Sequence, residues 1–396
     1  MANTESISLT TYPWHRPCPI CNADRAKFLF DNGMSRLDGL DMSYRVGCCE
    51  NCNFCYACDL PLPTTYDEYY RSLSKYDVVI NDTALPPVTL ARIQKTLDIC
   101  IPALPKNALV TDIGCGFGAL LSGFKTAGFS RLYGIDPALS SAREAARLFG
   151  LQNIYTGSLR EAALQLPLTE TDLLCLTGVV EHLPNLTQDL GWLLNRLSHS
   201  ALVLIEVPAL ERFLAPNIEP LGEFSLEHIQ YFTAQTLTHL LAKFGFSPRE
   251  LSIGKFQGCT DSLFGLFGQG PAINTKPTKP LRLDDYIAYS LSQRDLALHK
   301  VIGINEPFVI FGAGSHTARL LPQLEQRGLA SQITAIVDNN PNLHGKQLGK
   351  FTIQPSNILE SKPNILVLIS SFRGQNAITR QLAGQHPLIC LYDIDQ

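Results

Sequence analysis

Between Ala108 and Pro208 five short apolar runs alternate with longer polar-faced stretches: ALVTDIG (108–114), RLYGID (131–136), NIYTGS (153–158), DLLCLTG (172–178) and ALVLIEVP (201–208). Runs of this kind read as strands, and the intervening segments, such as ALLSGFKTAG and PALSSAREAARLFG, read as helices of about ten to fifteen residues. Parallel neighbours need a crossover connection, usually a helix, so this alternation reads as a parallel sheet covered by helices.

A second alternating series follows: PFVIFGAG (307–314), SHTARLLPQLEQRG, ITAIVDNNP (333–341), NILVLISS (364–371), GQNAITRQLAG and PLICLYD (387–393). Before it, NTKPTKP (274–280) has two prolines and no apolar residue and reads as a linker or exposed loop. A chain of 396 residues is expected to hold two or three domains, and we expect boundaries near 1–75, 76–270 and 271–396. The two α/β series show no sequence repeat between them.

The first segment shows little that reads as a long strand or helix, yet it holds Cys18, Cys21, Cys48, Cys49, Cys52, Cys55 and Cys58 of the chain's 12 cysteines. A small loop-rich segment needs a staple. Cys18-Pro19-Ile20-Cys21 and Cys49-Glu50-Asn51-Cys52 form two CxxC pairs, which together supply the four sulfurs of a tetrahedral Zn²⁺ shell. Each pair is followed by Asn22 or Asn53, and Asn tolerates the left-handed backbone that such a knuckle needs. Cys52/Cys55 and Cys55/Cys58 share the same spacing, so spacing alone leaves the second pair open. An iron–sulfur or redox role, or unliganded thiols, are the competing readings. With four thiolates bound the ion has no open position and serves structure.

Charge narrows the partners. Lys and Arg number 32 against 36 Asp and Glu, a net −4 that disfavours nucleic acid. No apolar run is long enough to span a membrane, and the start MANTESISLTTYPW lacks the pattern of a signal peptide. The expected location is the cytoplasm, where clustered cysteines read first as metal ligands.

The first apolar run ends in Asp112-Ile113-Gly114-Cys115-Gly116-Phe117-Gly118, and the second in Gly134-Ile135-Asp136. Glycines let a backbone approach a ligand closely, the helix that follows offers free N–H groups, and an acid ending the next strand can accept ribose hydroxyls. These residues, with Glu181-His182-Leu183-Pro184 after the fourth run, resemble the class I S-adenosylmethionine-dependent methyltransferases. The acid Asp112 just before the glycines suits a cofactor with a cationic amino-acid end better than a pyrophosphate. The resemblance implies that Asp136 holds the ribose, that Ser158 and Leu159 flank the adenine, and that the backbone of Gly114 and Gly116 faces the methionine portion.

The order of two CxxC pairs, this core and a third Rossmann-like unit is similar to that of the sugar C-methyltransferases over nearly the whole chain. The expected fold is therefore α/β: a Rossmann-like class I methyltransferase core with a small N-terminal zinc-binding module and a smaller C-terminal Rossmann-like domain. The resemblance also implies a small-molecule acceptor such as a nucleotide-linked keto-deoxysugar. By the approach Tyr44-Arg45-Val46 it favours Cys49 and Cys52 as the second metal pair, leaving Cys48, Cys55 and Cys58 as surplus thiols.

A long insertion, PALERFLAPNIEPLGEFSLEHIQYFT, follows the fifth run and carries Glu227-His228. Methyl transfer needs a proton removed from the acceptor, and histidine titrates in the useful range. By resemblance His228 is the general base, beside Glu227, and His182 is a second active-site histidine. The plainer readings are that His182 shapes the pocket and that EHIQYFT leads into a helix capped by Thr233. Tyr70 and Tyr76 could reach the pocket, but packing is the simpler role for each.

Three departures bear on the acceptor. Ser225 stands where the family has a tyrosine, and Phe256 to Ser262 lacks the histidine and arginine of the family's His-Gly-Gly-Ser-x-Arg stretch. In the C-terminal series Phe311-Gly312-Ala313-Gly314-Ser315-His316-Thr317, with Asp338 ending the next strand, resembles half a dinucleotide fold in which Thr317 replaces the third glycine. Asp338-Asn339-Asn340-Pro341 and Gly345 fit the family's C-terminal unit, read as a substrate-binding or lid module, although a family lysine is replaced by Ser315 and His316. The alternatives are O- or N-methylation of another metabolite, an NAD-dependent enzyme using the second glycine turn, and a zinc-bearing binding protein with an inert core.

Overall fold

The computed structural model describes residues 13–72, 85–215, 218–256, 259–271 and 283–393. Tyr76, Gln257, Gly258 and the stretch 274–280 lie outside the described residues.

The N-terminal segment is more regular than its sequence suggested. It forms an antiparallel sheet of β1 (Trp14–His15), β2 (Ala26–Asn32), β3 (Tyr44–Cys49) and β4 (Cys55–Leu60), ordered β1-β4-β3-β2, followed by α1 (Pro63–Ser72). Its strands are short and cysteine-rich, without a clean period-two pattern, because Tyr44, Val46, Tyr56, Ala57 and Leu60 are all buried against the rest of the molecule.

The middle sheet holds β5 (Leu109–Ile113), β6 (Arg131–Asp136), β7 (Ile154–Thr156), β8 (Leu173–Thr177) and β9 (Leu202–Pro208), all mutually parallel. The helices α2 (Pro87–Cys100), α3 (Ala119–Thr126), α4 (Ser141–Phe149), α5 (Leu159–Ala162) and α6 (Leu186–Leu194) accompany them. After β9 the chain inserts a loop that contains β10 (Gln230–Tyr231), then runs through α7 (Ala234–Ala242) into β11 (Phe246–Gly254) and β12 (Ser262–Gln269). These last two strands join the sheet antiparallel, giving the order β11-β12-β9-β8-β5-β6-β7. The chain leaves β5 toward β7 and returns to the other side of β5 at β8, so the crevice opens at their C-terminal ends, where α/β sheets bind ligands.

A third sheet follows α8 (Leu283–His299). It comprises β13 (Phe308–Phe311), β14 (Ile333–Asp338), β15 (Gln347–Leu348), β16 (Phe351–Pro355), β17 (Leu366–Ile369) and β18 (Leu388–Cys390), in the order β15-β16-β14-β13-β17-β18, with α9 (Ser315–Gln326) and α10 (Gln375–Leu382). All neighbouring pairs are parallel except the β15–β16 hairpin.

The cysteine module touches both α/β sheets. Cys18, Ile20, Cys49 and Phe54 share a buried cluster with Leu190, Leu194, Leu237 and Leu241 of α6 and α7. Met34, Leu37 and Tyr44 share another with Phe224, Tyr286, Leu320 and Leu321. Full burial of one such aromatic or leucine side chain contributes roughly 1.5–3 kcal/mol, so these contacts tie the three units by apolar surface. β10 pairs antiparallel with β4, Gln230 opposite Tyr56 and Tyr231 opposite Cys55, and so completes the N-terminal sheet from the middle of the chain.

Candidate active site

The glycine turn after β5 is built for close approach. Gly114, Gly116 and Gly118 have φ of 70°, 53° and 84°, and a Cβ on Gly114 would lie 2.6 Å from Val179 Cγ2. The turn is fixed by its own sheet: Gly114 N–H and Cys115 N–H donate to Ile135 O, and Gly116 N–H donates to Asp136 Oδ2 at 2.8 Å. Asp136 Oδ1 accepts from Ala138 N–H at 2.8 Å and Ser141 Oγ at 3.0 Å.

The turn opens on a cavity of about 860 Å³ lined by Asp112, Gly114, Gly116, Asp136, Ser158, Leu159 and His182, among others. All six residues expected to touch a cofactor are therefore gathered there. Ser158 uses its hydroxyl to donate to Glu161 Oε2 at 2.7 Å, which starts α5 and leaves its backbone and the Leu159 side chain to shape the wall.

Asp112 is the anomalous member. It is 1% exposed and its Oδ1 has no hydrogen-bond partner among the described residues. Burial, and secondarily the charge of Asp136, push its carboxyl well above the usual carboxylate range. Glu206 also lines the cavity and is paired with Arg92, whose Nη2 also donates to Ser262 Oγ at 3.0 Å.

At the cavity wall stands His182. Its Nδ1 lies 2.7 Å from Tyr70 OH and 3.5 Å from Glu227 Oε2, and its Nε2 lies 3.7 Å from Glu181 Oε1. Glu227 is 2% exposed and accepts from Tyr69 OH at 2.5 Å. The His228 ring centroid is 5.0 Å from that of His182, set edge to face, and its Nδ1 is 3.9 Å from Glu223 Oε2. Thus the carboxylate adjacent in sequence to His228 serves His182, and His228 faces Glu223 from one turn earlier. Glu223 is buried, which pushes its pKa up, although Thr260 Oγ1 donates to it. Ser225, at the position expected to be tyrosine, accepts from the N–H groups of Glu227 (3.3 Å) and His228 (3.1 Å) and so folds the EH turn. Thr233 does cap α7, accepting from Thr236 N–H at 3.1 Å.

Residues 89–251 match the family model described as a methyltransferase domain. This stretch is a methyltransferase domain. The chain has no match among curated proteins. Among solved structures the methyltransferase is similar to magnesium protoporphyrin IX methyltransferase from Synechocystis PCC 6803 with bound cofactor (15% identity, 52% of this chain and 96% of that one, TM-score 0.39). It is also similar to a SAM-dependent methyltransferase from Archaeoglobus fulgidus (21% identity, 44% of this chain and 93% of that one, TM-score 0.35). At such TM-scores the assignment rests on the family model and the site geometry.

The residues present fit S-adenosylmethionine. Asp112, buried with an unmatched oxygen beside Asp136 and with its pKa raised for want of a counter-charge, is a site that a cationic ligand group would satisfy. The 860 Å³ volume accommodates a nucleoside-sized ligand.

A second group of side chains has metal-ligand character. The sulfurs of Cys18, Cys21, Cys49 and Cys52 all lie within 4.8 Å of one another, with Cys18–Cys52 at 3.5 Å and Cys21–Cys49 at 3.4 Å. Four sulfurs about 2.3 Å from one tetrahedral centre stand about 3.8 Å apart, close to this spacing. Asn22 and Asn53, at φ of 59° and 60°, close the two knuckles as their sequence positions suggest. The remaining thiols are not all surplus: Cys48 and Cys55, directly opposite on β3 and β4, are joined in a disulfide, and Cys58 is free. No helix among the described residues is long and apolar enough to cross a membrane.

Several contributors escaped the sequence reading. Tyr70 lines the cavity and contacts His182, so packing does not exhaust its role. Tyr69, Arg92, Glu206 and Glu223 carried no motif, because their partners lie far away along the chain. In the third sheet the second glycine turn is filled from within. Thr317 Oγ1 donates to Gly312 O, His316 bridges Ser370 Oγ and Tyr392 OH at 2.8 Å each, and Asp338 Oδ2 accepts from Ala313 N–H at 2.7 Å.

Proposed function

We propose that the methyltransferase methylates a small acceptor at carbon, a nucleotide-linked keto-deoxysugar being the class the whole-chain arrangement favours, with His228 as general base. The observation that carries this reading is the edge-to-face contact of His228 with His182, which stands at the wall of the cavity while His228 lies behind it. S-adenosylmethionine supplies an electrophilic methyl group when bound. His228 takes the proton from the carbon next to the acceptor carbonyl, and Glu223 stabilises the imidazolium that forms. His182, held by Tyr70 and Glu227, is placed to donate to the oxygen on which negative charge develops. Asp112, Gly114, Gly116, Asp136, Ser158 and Leu159 bind the cofactor.

The four-cysteine group in this reading holds one structural Zn²⁺, and the third sheet acts as a substrate or lid module. In favour of the latter, Arg319 of α9 donates to Phe224 O at 2.5 Å and Tyr286 of α8 accepts from Glu223 N–H at 3.2 Å, so C-terminal elements brace the loop that bears His228.

The test is incubation with methyl-labelled cofactor and a panel of nucleotide keto-sugars, with the label located by mass spectrometry. Label on a ring carbon is expected. His228→Gln should lower turnover by about 10²–10⁴-fold with cofactor affinity unchanged by calorimetry. Label on oxygen or nitrogen, or on none of the sugars, would sink the carbon-acceptor reading and leave the methyltransferase domain standing. Metal analysis should find one zinc per chain.

A further inference from the structure

Arg16 sits two positions before Cys18 and is 3% exposed. Its guanidinium is spent on main-chain and amide oxygens from three separate parts of the chain. Nε donates to Ala57 O of the cysteine module at 2.7 Å, and Nη1 to Pro184 O at 2.8 Å. Nη2 donates to Ile229 O at 3.0 Å and to Gln230 Oε1 at 3.2 Å. Pro184 lies two residues after His182, and Ile229 directly follows His228. One rigid fork therefore reaches both histidine loops at once.

The neighbouring bonds complete the frame. Gln230 Nε2 donates to Leu183 O at 2.8 Å, Ile229 N–H to Glu181 O at 3.0 Å, and Ala57 N–H to Ile229 O at 2.9 Å. A cation this buried is costly unless its donors are satisfied. Here the carbonyl dipoles of three segments satisfy it, and they in turn are held where the planar fork requires. The ring of Tyr56 packs beneath, its centroid 5.5 Å from Arg16 Cζ.

We propose that Arg16 is a positioning residue that sets the spacing of His182 and His228, coupling the cysteine module to the site of proton transfer. The proposal rests on the reading of His228 as the base. It makes Arg16 neither a ligand of substrate nor of metal: it acts only through the two loops.

The test uses full-length protein labelled with ¹⁵N at histidine, with His182 and His228 imidazole signals assigned from His182→Gln and His228→Gln. Arg16→Met should displace both signals at temperatures where the variant is folded, while affinity for S-adenosylhomocysteine by calorimetry stays within about twofold. Arg16→Lys, which keeps the charge without the fork, should restore neither signal fully. A residue that merely stabilised the fold would lower the melting temperature and leave both imidazoles unmoved, and that result overturns the proposal. Should Arg16→Met fail to fold, Gln230→Met, which removes the bonds to Leu183 and to Arg16, must displace the same two signals; unmoved signals there also overturn it. Once an acceptor is known, turnover in folded Arg16→Met should fall by up to about 100-fold with KM little changed. Full methyl transfer by His228→Gln would remove the base role and leave the displacement result standing, so the two failures are separable.

Discussion

The chain contains two strand–glycine–helix turns of nearly the same design, and they differ in what stands at the mouth of each. After β5, Gly116 N–H donates to Asp136, the acid ending the next strand; after β13, Ala313 N–H donates to Asp338 in the same way. Each turn sits where its sheet reverses strand order. At the first, Asp112 leaves an oxygen unmatched beside open volume. At the second, Thr317, His316, Ser370 and Tyr392 bond to one another across the same position. A glycine motif thus reports a backbone shape, and what the mouth of the turn holds decides whether a ligand enters. A dinucleotide at the second turn would have to be accommodated beside this side-chain network.

Substitution at the glycines should separate the two turns most sharply. Gly114→Val places a branched side chain at positive φ against Val179 and is expected to abolish cofactor heat in calorimetry. Gly312 has φ of 110° and its Cβ would meet Ser370 O at 2.7 Å, so Gly312→Ala should cost about 1–3 kcal/mol in denaturant unfolding. Cofactor affinity should nevertheless be untouched, and equal loss of binding in both variants would break the contrast drawn here.

A smaller effect is expected from the buried acid. The folded-state pKa of Asp112 is raised, so the native protein holds its proton more tightly than the unfolded chain does. Stability from this group is complete below the unfolded carboxylate range and is lost as pH rises through the raised value. Melting temperatures of the cofactor-free protein should therefore fall less steeply with rising pH in Asp112→Asn than in the parent. Cofactor binding by this variant should weaken by about tenfold or more. Identical pH slopes would show that the carboxylate finds a partner.

The smallest effect belongs to His316, whose pKa burial lowers to about 3. Here the unfolded state binds the extra proton, so stability is full above the usual histidine range near 6.5 and declines as pH falls toward 3. His316→Asn should flatten that acid limb while leaving cofactor affinity unchanged. A change in affinity would connect the second turn to the first.

The parallel core was legible because β5 to β9 are buried on both faces and read as continuous apolar runs. The Cys18/Cys21 pair was legible from its local CxxC spacing, whereas Cys49/Cys52 shares its spacing with Cys52/Cys55 and Cys55/Cys58 and was singled out only by the family resemblance. β11 was hidden: FSPRELSIG carries proline and charges suited to an edge strand, with exposed residues at its centre. β10 was hidden for another reason, since two residues hold no period and its partner is β4. The same distance conceals the pairing of Glu227 with His182 and of His228 with Glu223. Adjacency in sequence suggested one acid for one base, whereas the turn folded by Ser225 sends the two side chains apart.

The pairing of β10 with β4 also has a consequence for synthesis. Tyr231 emerges about 175 residues after Cys55, so at ribosomal rates of about 5–20 residues per second the β4 edge waits roughly 10–35 s for its partner. During that interval the nascent N-terminal sheet carries an open hydrogen-bonding edge, and Arg16 lacks the Pro184 and Ile229 carbonyls it will later hold. The earlier-made cysteine-rich sheet therefore becomes complete only after the insertion that carries β10 has been synthesised, and until then its edge is open to chaperones.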